Sequence, residues 1–225
     1  MKSKREIQVI DLGTMDYLEC WNLQKELVAK RAKEEISDQL IFVEHPHVVT
    51  LGRRNAVYHA SSHDSDNKVP VYEIERGGEA TYHGPGQLVA YPILKLSEGR
   101  RDLHRYLRSI EEVLIRTLND FSIESHQKDG ATGVWLKDRQ KKIASIGIGV
   151  KRWVTYHGLA LNVSTDLSYF GLISPCGFDS SVMTSMENEL AEHTPMHLVK
   201  DRVIANFQSI FETEIQVLPS ISFQS

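Results

Sequence analysis

The chain has 225 residues, 41% hydrophobic and 25% charged; it is too apolar for a disordered protein and suits one sizeable core better than two independent ones. Its 26 basic and 30 acidic residues leave a formal charge of −4, which gives no electrostatic ground for a duplex nucleic acid partner. No apolar run reaches signal-peptide or membrane-span length, and two cysteines cannot build a disulfide framework. A single domain over residues 1–225, cytoplasmic and with no membrane contact, is expected.

Helical periodicity first arises over about 15–35, where Leu18, Trp21, Val28 and Ala32 share a predicted face and Asp16 with Glu19 forms a capping arrangement. Cys20 lies inside this helix. Strand-like runs follow at 40–44 (LIFVE) and 48–51 (VVTL), then a polar loop at 59–68, then strands at 71–75 (VYEIE) and 88–94 (LVAYPIL). Leu103, Leu107, Ile110, Leu114, Leu118 and Phe121 recur at spacings of three and four, which predicts a helix lying on a sheet. Three more strands are predicted at 132–136 (TGVWL), 142–150 (KIASIGIGV) and 156–163 (YHGLALNV). A last helix begins at Thr194 and Pro195, cap and first helical position, and runs through Val199, Val203, Phe207 and Ile210. Strands outnumber helices and do not alternate with them one by one. The expected fold class is therefore α/β of the α+β kind, a mixed sheet with packed helices, and not a doubly wound fold.

Eight of the 14 glycines, Gly77, Gly78, Gly84, Gly86, Gly147, Gly149, Gly158 and Gly177, fall in four short segments. Glycine lets a ligand approach the backbone with no Cβ in the way, so these segments are candidate walls of one site; tight turns are the alternative for any one of them. RGGEATYHGPGQ, at 76–87, adds a forked cation at Arg76 and polar groups at Thr81, His83 and Gln87. It fits neither the GxxxxGK[ST] phosphate loop nor the GxGxxG dinucleotide fingerprint. KKIASIGIGV places Lys141 and Lys142 on opposite faces of a strand, so at most one of them lines a cleft. In VTYHGLALNV, His157 is either a general base or a structural histidine, and Gly158 with Ala160 leaves one side small enough for an apolar ligand.

In LISPCGF, Cys176 stands in a short loop between proline and glycine, unlike Cys20 on its helix. A thiol attacks as its thiolate, and a nearby ammonium or backbone amides favour that form. No HExxH motif or CxxC pair occurs, so no metal site is expected.

Taken in order, RGGEATYHGPGQLVAYPI, KIASIGIGV, VTYHGLALNV and ISPCGF resemble the lipoate-pathway octanoyltransferases, the lipoyl(octanoyl) transferases; HPHVVTLGRR ahead of them resembles the family too. The resemblance covers about residues 70–178. It implies a fold shared with biotin- and lipoate-protein ligases, and one catalytic domain that needs no cofactor. It implies an octanoyl group taken from octanoyl-acyl carrier protein onto Cys176 as a thioester. That group then passes to a lysine of the lipoyl domains of 2-oxoacid dehydrogenases and of the glycine cleavage protein. Lys142 matches the lysine that lowers the pKa of the cysteine. Substrate-contacting positions fall on Arg76, Gly77, Gly78, Glu79, Ala80, Thr81, Tyr82 and His83, on Ser145, Ile146 and Gly147, and on Gly158, Leu159 and Ala160.

Such chemistry suits these residues. Exchange between two thioesters is nearly isoenergetic, so the acyl group can be held without ATP, and backbone amides near Cys176 and Gly177 are candidate oxyanion donors. Burial of an alkyl chain at about 0.8 kcal/mol per methylene favours an apolar tunnel, for which Gly158, Leu159 and Ala160 are the candidate lining. The competing readings are an ATP-dependent ligase of the same fold, which has no need of the cysteine, and a non-catalytic acyl-binding protein, which has no need of Cys176 and Lys142 together. No long heptad or exposed apolar helix asks for a dimer, so a monomer is expected.

Overall fold

The computed structural model describes residues 5–54, 58–59, 69–174 and 179–218. Cys176 lies outside the described residues, as does most of the polar loop predicted at 59–68. The chain opens with β1 (Arg5–Thr14) and α1 (Tyr17–Ala32), followed by β2 (Asp38–Glu44), β3 (Val48–Leu51), β4 (Val71–Glu73), β5 (Ala80–His83) and β6 (Gln87–Ile93). Next come α2 (Leu103–Asp120) and the strands β7 (Ser125–Lys128), β8 (Ala131–Leu136), β9 (Lys142–Lys151) and β10 (Val154–Asn162). The last elements are a short α3 (Met186–Leu190), α4 (Met196–Phe211) and β11 (Thr213–Val217).

Eight strands form one mixed sheet in the order β11-β1-β2-β6-β10-β9-β8-β7, and β4-β3-β5 form a smaller one. Pairing is parallel where β1 meets β2 and β11, and antiparallel from β2 through β6, β10, β9 and β8 to β7. Both faces of the large sheet are covered. On β2, Leu40 and Phe42 join the core under α2 and α4, while Ile41 and Val43 join the core under α1. On β6, Leu88 and Ala90 take the first side, and Val89, Tyr91 and Ile93 the second. This period-two split explains why both strands read as continuous apolar runs. The buried carboxylate of Asp38 ties β1, α1 and β2 together through Arg5 and Arg31. No helix among the described residues is long and apolar enough to cross a membrane.

The predicted mixed sheet with packed helices is present, with several corrections. Asp16 does cap α1, accepting from the N–H groups of Leu18 and Glu19, but the buried face is Tyr17, Cys20, Gln24, Leu27 and Val28. Leu18, assigned to that face from the sequence, is 39% exposed. A buried glutamine hid the true stripe: Gln24 turns inward because its Oε1 accepts the N–H of His157 at 2.8 Å. Pro195 is the cap residue of α4 and not its first helical position, a shift of one residue. Sequence reading missed β1, β5, β7 and β11. Of these, β7 is a polar edge strand, and β1 with β11 pairs the two ends of the chain, which no local pattern announces.

Candidate active site

Two of the sequence segments turn out to be direct neighbours. Across β9 and β10, Ser145 pairs with Ala160, Ile146 with Leu159 and Gly147 with Gly158. The RGG loop lies over them, its Gly77 N–H donating to the carbonyl of Ile148 at 2.9 Å. Glycine is required at this crossing, because a Cβ on Gly147 would sit 2.8 Å from the carbonyl oxygen of Gly77 and 3.0 Å from Cδ of Arg76. Arg76 anchors the loop from below, donating to the carbonyl and hydroxyl of Thr50 on β3 at 2.8 and 3.0 Å. The forked cation thus holds the cradle together.

Beneath the loop lies a small cavity, about 40 Å³ in volume. Its walls include Arg76, Gly78, Glu79, Ala80, Thr81 and His83 from the first segment, Ser145, Ile146 and Gly147 from β9, Gly158, Leu159 and Ala160 from β10, and Lys142. Two of the sequence-derived positions stand apart. Tyr82 turns into an aromatic stack with His47 and Tyr169, where its hydroxyl meets Nδ1 of His47 at 2.7 Å. Gly77 faces an adjoining cleft. Sequence reading did not anticipate Tyr17 and Tyr91 as wall residues. A signal for Tyr91 was available, since it is the one hydroxyl in the apolar run of β6.

Lys142 is the first residue of β9 and is 1% exposed. Its ammonium lies 5.7 Å from the centre of the Trp135 ring, and its carbonyl accepts the N–H of Thr184 at 3.0 Å. Met183 bridges to the same residue. Lys141 points the other way and donates to the carbonyl of Ser181, so strand alternation separated the two lysines correctly.

Histidine tautomers follow from their partners. Gln87 uses its amide nitrogen on the carbonyl of Tyr82 and on Oδ1 of Asn162, at 3.1 and 2.9 Å. Its Oε1 therefore accepts from Nδ1 of His83 at 2.7 Å. Asn162 in turn donates to the carbonyl of Thr184 at 2.9 Å, so a chain of bonds runs from the cavity wall to the backbone beside Lys142. His45 donates from Nδ1 to the carbonyl of Met15 and accepts from the hydroxyl of Tyr91 at Nε2.

Burial holds these rings neutral: desolvation lowers His45 to about 4, and lowers both His83 and His157 to about 3. Desolvation thus makes His157 a weak base, which counts against the general-base alternative. Its backbone takes a positive φ of 54° inside β10. Nε2 of His157 and Oγ1 of Thr81 are buried with no hydrogen-bond partner among the described residues, and both residues line the cavity. These are groups that polar atoms of a bound molecule would satisfy. Among the described residues no group of histidines, cysteines and carboxylates is placed to hold a metal ion.

The three depressed histidines predict acid sensitivity. In the unfolded chain each takes up a proton at about pH 6.5, while the folded protein resists until far lower pH. Stability is thus fully present above about pH 6.5 and falls as the pH drops toward the folded values, by up to about 1.4 kcal/mol per histidine per pH unit. For three groups this is roughly 4 kcal/mol per unit, against a typical total of about 5–15 kcal/mol. Urea midpoints measured from about pH 7.5 down to about pH 5 should fall steeply, and a flat dependence would contradict neutral buried rings.

Residues 16–208 match the lipoyl protein ligase A/B catalytic domain family. An octanoyltransferase of Syntrophotalea carbinolica is 45% identical over 207 residues, covering 92% of this chain and 95% of that protein. One of Cytophaga hutchinsonii is 40% identical over 234 residues, covering 95% and 96%. Among solved structures, a bipartite lipoate protein ligase of Thermoplasma acidophilum aligns with a TM-score of 0.72 at 15% identity, over 99% of this chain and 89% of that one. A biotin protein ligase of Aquifex aeolicus aligns at 0.52 and 9% identity, over 92% and 70%. These two show the fold alone. On the match over 16–208 and on relatives at 40 to 45% identity along almost the whole length, the chain belongs to the lipoyl protein ligase A/B family, alongside its octanoyltransferases.

Proposed function

We propose that this protein is an octanoyltransferase that moves an octanoyl group from acyl carrier protein to a lysine of lipoyl domains, through a thioester on Cys176. We further propose that it works in the cytoplasm, as a monomer and one catalytic domain without a cofactor, on the lipoyl domains of 2-oxoacid dehydrogenases and of the glycine cleavage protein. The observation that carries the reading is Lys142, an ammonium-bearing side chain buried in the wall of the cavity that the glycine segments enclose, in the segment that matches the lysine motif of the octanoyltransferases. Cys176 lies outside the described residues, but the chain that follows it, from Ser181 to Thr184, contacts Lys141 and Lys142.

In the first step the Cys176 thiolate attacks the octanoyl carbonyl; a C–S bond forms, the bond to the carrier breaks, and the leaving thiolate takes a proton from Lys142. In the second step the amine of the incoming lysine attacks the Cys176 thioester. A C–N bond forms, Lys142 recovers its proton from that amine, and the thiolate is regenerated. Atoms and protons balance over the cycle. Mixing with octanoyl-acyl carrier protein should give an octanoyl adduct on the enzyme by intact mass, discharged when a lipoyl domain is added. Turnover from free octanoate and ATP, with no adduct from the carrier, would refute the reading.

The second cleft suits the donor side. It shares Gly78, Glu79, Ile146 and Gly147 with the main cavity and is flanked by Arg53 and Arg54. Both arginines are exposed, and their backbone N–H groups bind the carbonyls of Arg76 and Gly78 at 3.1 Å. A carrier whose acyl arm hangs from a phosphodiester presents an anion at such a mouth. Replacing both arginines by alanine should raise KM for octanoyl-acyl carrier protein about tenfold with little change in kcat, as expected for about 0.7 kcal/mol per exposed charge contact. A phosphate-free donor, octanoyl-N-acetylcysteamine, should show no such change, and equal losses with both donors would place the arginines elsewhere in the mechanism.

A further inference from the structure

Glu111 lies on α2 and is 1% exposed, with Ile110, Val113 and Leu114 packed into the core beside it. A carboxylate in that setting is strongly unfavourable unless both oxygens find partners. Oε2 meets Nη1 of Arg108, on the same helix, at 2.8 Å. Oε1 reaches across to β8 and accepts the N–H of Gly133 at 3.0 Å. Gly133 has a φ of +126°, a conformation that favours glycine. It immediately precedes an irregularity in the ladder, where Val134 pairs with Ala144 but Trp135 pairs with Lys142. Ile143 is the extra residue of this bulge.

The bare Cα of Gly133 faces the end of the Lys142 side chain. A Cβ there would lie 2.6 Å from Cε and 3.2 Å from Nζ of Lys142, and 2.5 Å from the carbonyl oxygen of Ala144. The last atoms of the lysine therefore run across a space that only glycine leaves open, and the N–H of that glycine is held by Glu111. We propose that Glu111 is a positioning residue: by holding the N–H of Gly133 it fixes β8 against the bulge of β9, and that bulge sets where the Lys142 ammonium sits in the cavity. This rests on the reading above, in which Lys142 stabilises the Cys176 thiolate.

The test uses the full chain and two readouts, the pH midpoint of Cys176 alkylation and kcat/KM, for Glu111→Ala, Glu111→Gln, Gly133→Ala and Lys142→Ala. In Glu111→Ala the midpoint should rise by about one pH unit and kcat/KM should fall roughly tenfold. Glu111→Gln keeps an acceptor for the Gly133 N–H and should stay near the parent protein in both. Gly133→Ala leaves the carboxylate in place but pushes on the lysine, so it should move both readouts as Glu111→Ala does.

A folded Glu111→Ala protein with an unchanged midpoint would overturn the inference, whatever its melting temperature. So would a Glu111→Gln protein as impaired as Glu111→Ala, because the hydrogen bond would then not be the operative contact. Should Glu111→Ala fail to fold, an unchanged midpoint in Gly133→Ala has the same force. If Lys142→Ala itself leaves the midpoint unmoved, the thiolate role of Lys142 fails and this inference falls with it. If Lys142→Ala moves it and both other sites do not, only the inference about Glu111 and Gly133 fails.

Discussion

Cys176→Ala is expected to abolish the octanoyl adduct and to lower turnover by a factor of about 10³ or more, since the thioester carrier is removed and no other group can hold the acyl chain. The chain has one other cysteine, which makes the experiment clean. Cys20 is fully buried on α1, and burial pushes its thiol up to about 12. At neutral pH it is an unreactive thiol with no access to a protein substrate. An adduct that survives in Cys176→Ala would therefore refute the carrier role of Cys176 and could not be assigned to Cys20 without partial unfolding. Cys20→Ala is the control, and it should retain adduct formation while losing some stability to the cavity it leaves.

Lys142→Ala should raise the pH midpoint of Cys176 alkylation by one unit or more, because the cation favouring the thiolate is gone, and each unit corresponds to about 1.4 kcal/mol. Turnover should fall by about 10²–10⁴, since the same side chain is proposed to move a proton in both steps. Truncation also leaves a hole beside Trp135, so Lys142→Met, which keeps most of the volume without the charge, separates packing from chemistry. The two variants should share the shifted midpoint and differ in melting temperature. Lys141→Ala loses a contact to the carbonyl of Ser181 and should keep the midpoint of the parent protein. A Lys142→Met protein that alkylates with the parent profile would remove the lysine from the mechanism.

A lipoate-protein ligase solved with ATP bound shares this architecture, so the fold does not by itself distinguish the two chemistries. The distinction rests on two side chains. Cys176 lies outside the described residues, which leaves Lys142 as the structural anchor of the proposal. Its burial is informative because a fully buried lysine is uncommon, and this one lies in the cavity wall.

The amino-acid sequence by itself determined the parts of this protein that depend on short-range pattern. The period-two alternation separated Lys142 from Lys141, the three-and-four spacing from Leu103 to Phe121 marked α2, and Asp16 marked the start of α1. The four glycine segments were visible for the same reason, since glycine clustering is a local property of the chain. Only the tertiary structure decided how the three that lie among the described residues meet. That Ser145, Ile146 and Gly147 face Ala160, Leu159 and Gly158 depends on the register of β9 and β10, and that Gly77 rests on Ile148 depends on the small sheet docking over the large one. The inward turn of Gln24 and the burial of Glu111 were illegible because each is a polar residue whose partner, His157 or Gly133, lies far along the chain. A buried polar side chain is favourable only once that distant backbone N–H is in place, so its position is set by the assembled fold and not by the residues around it.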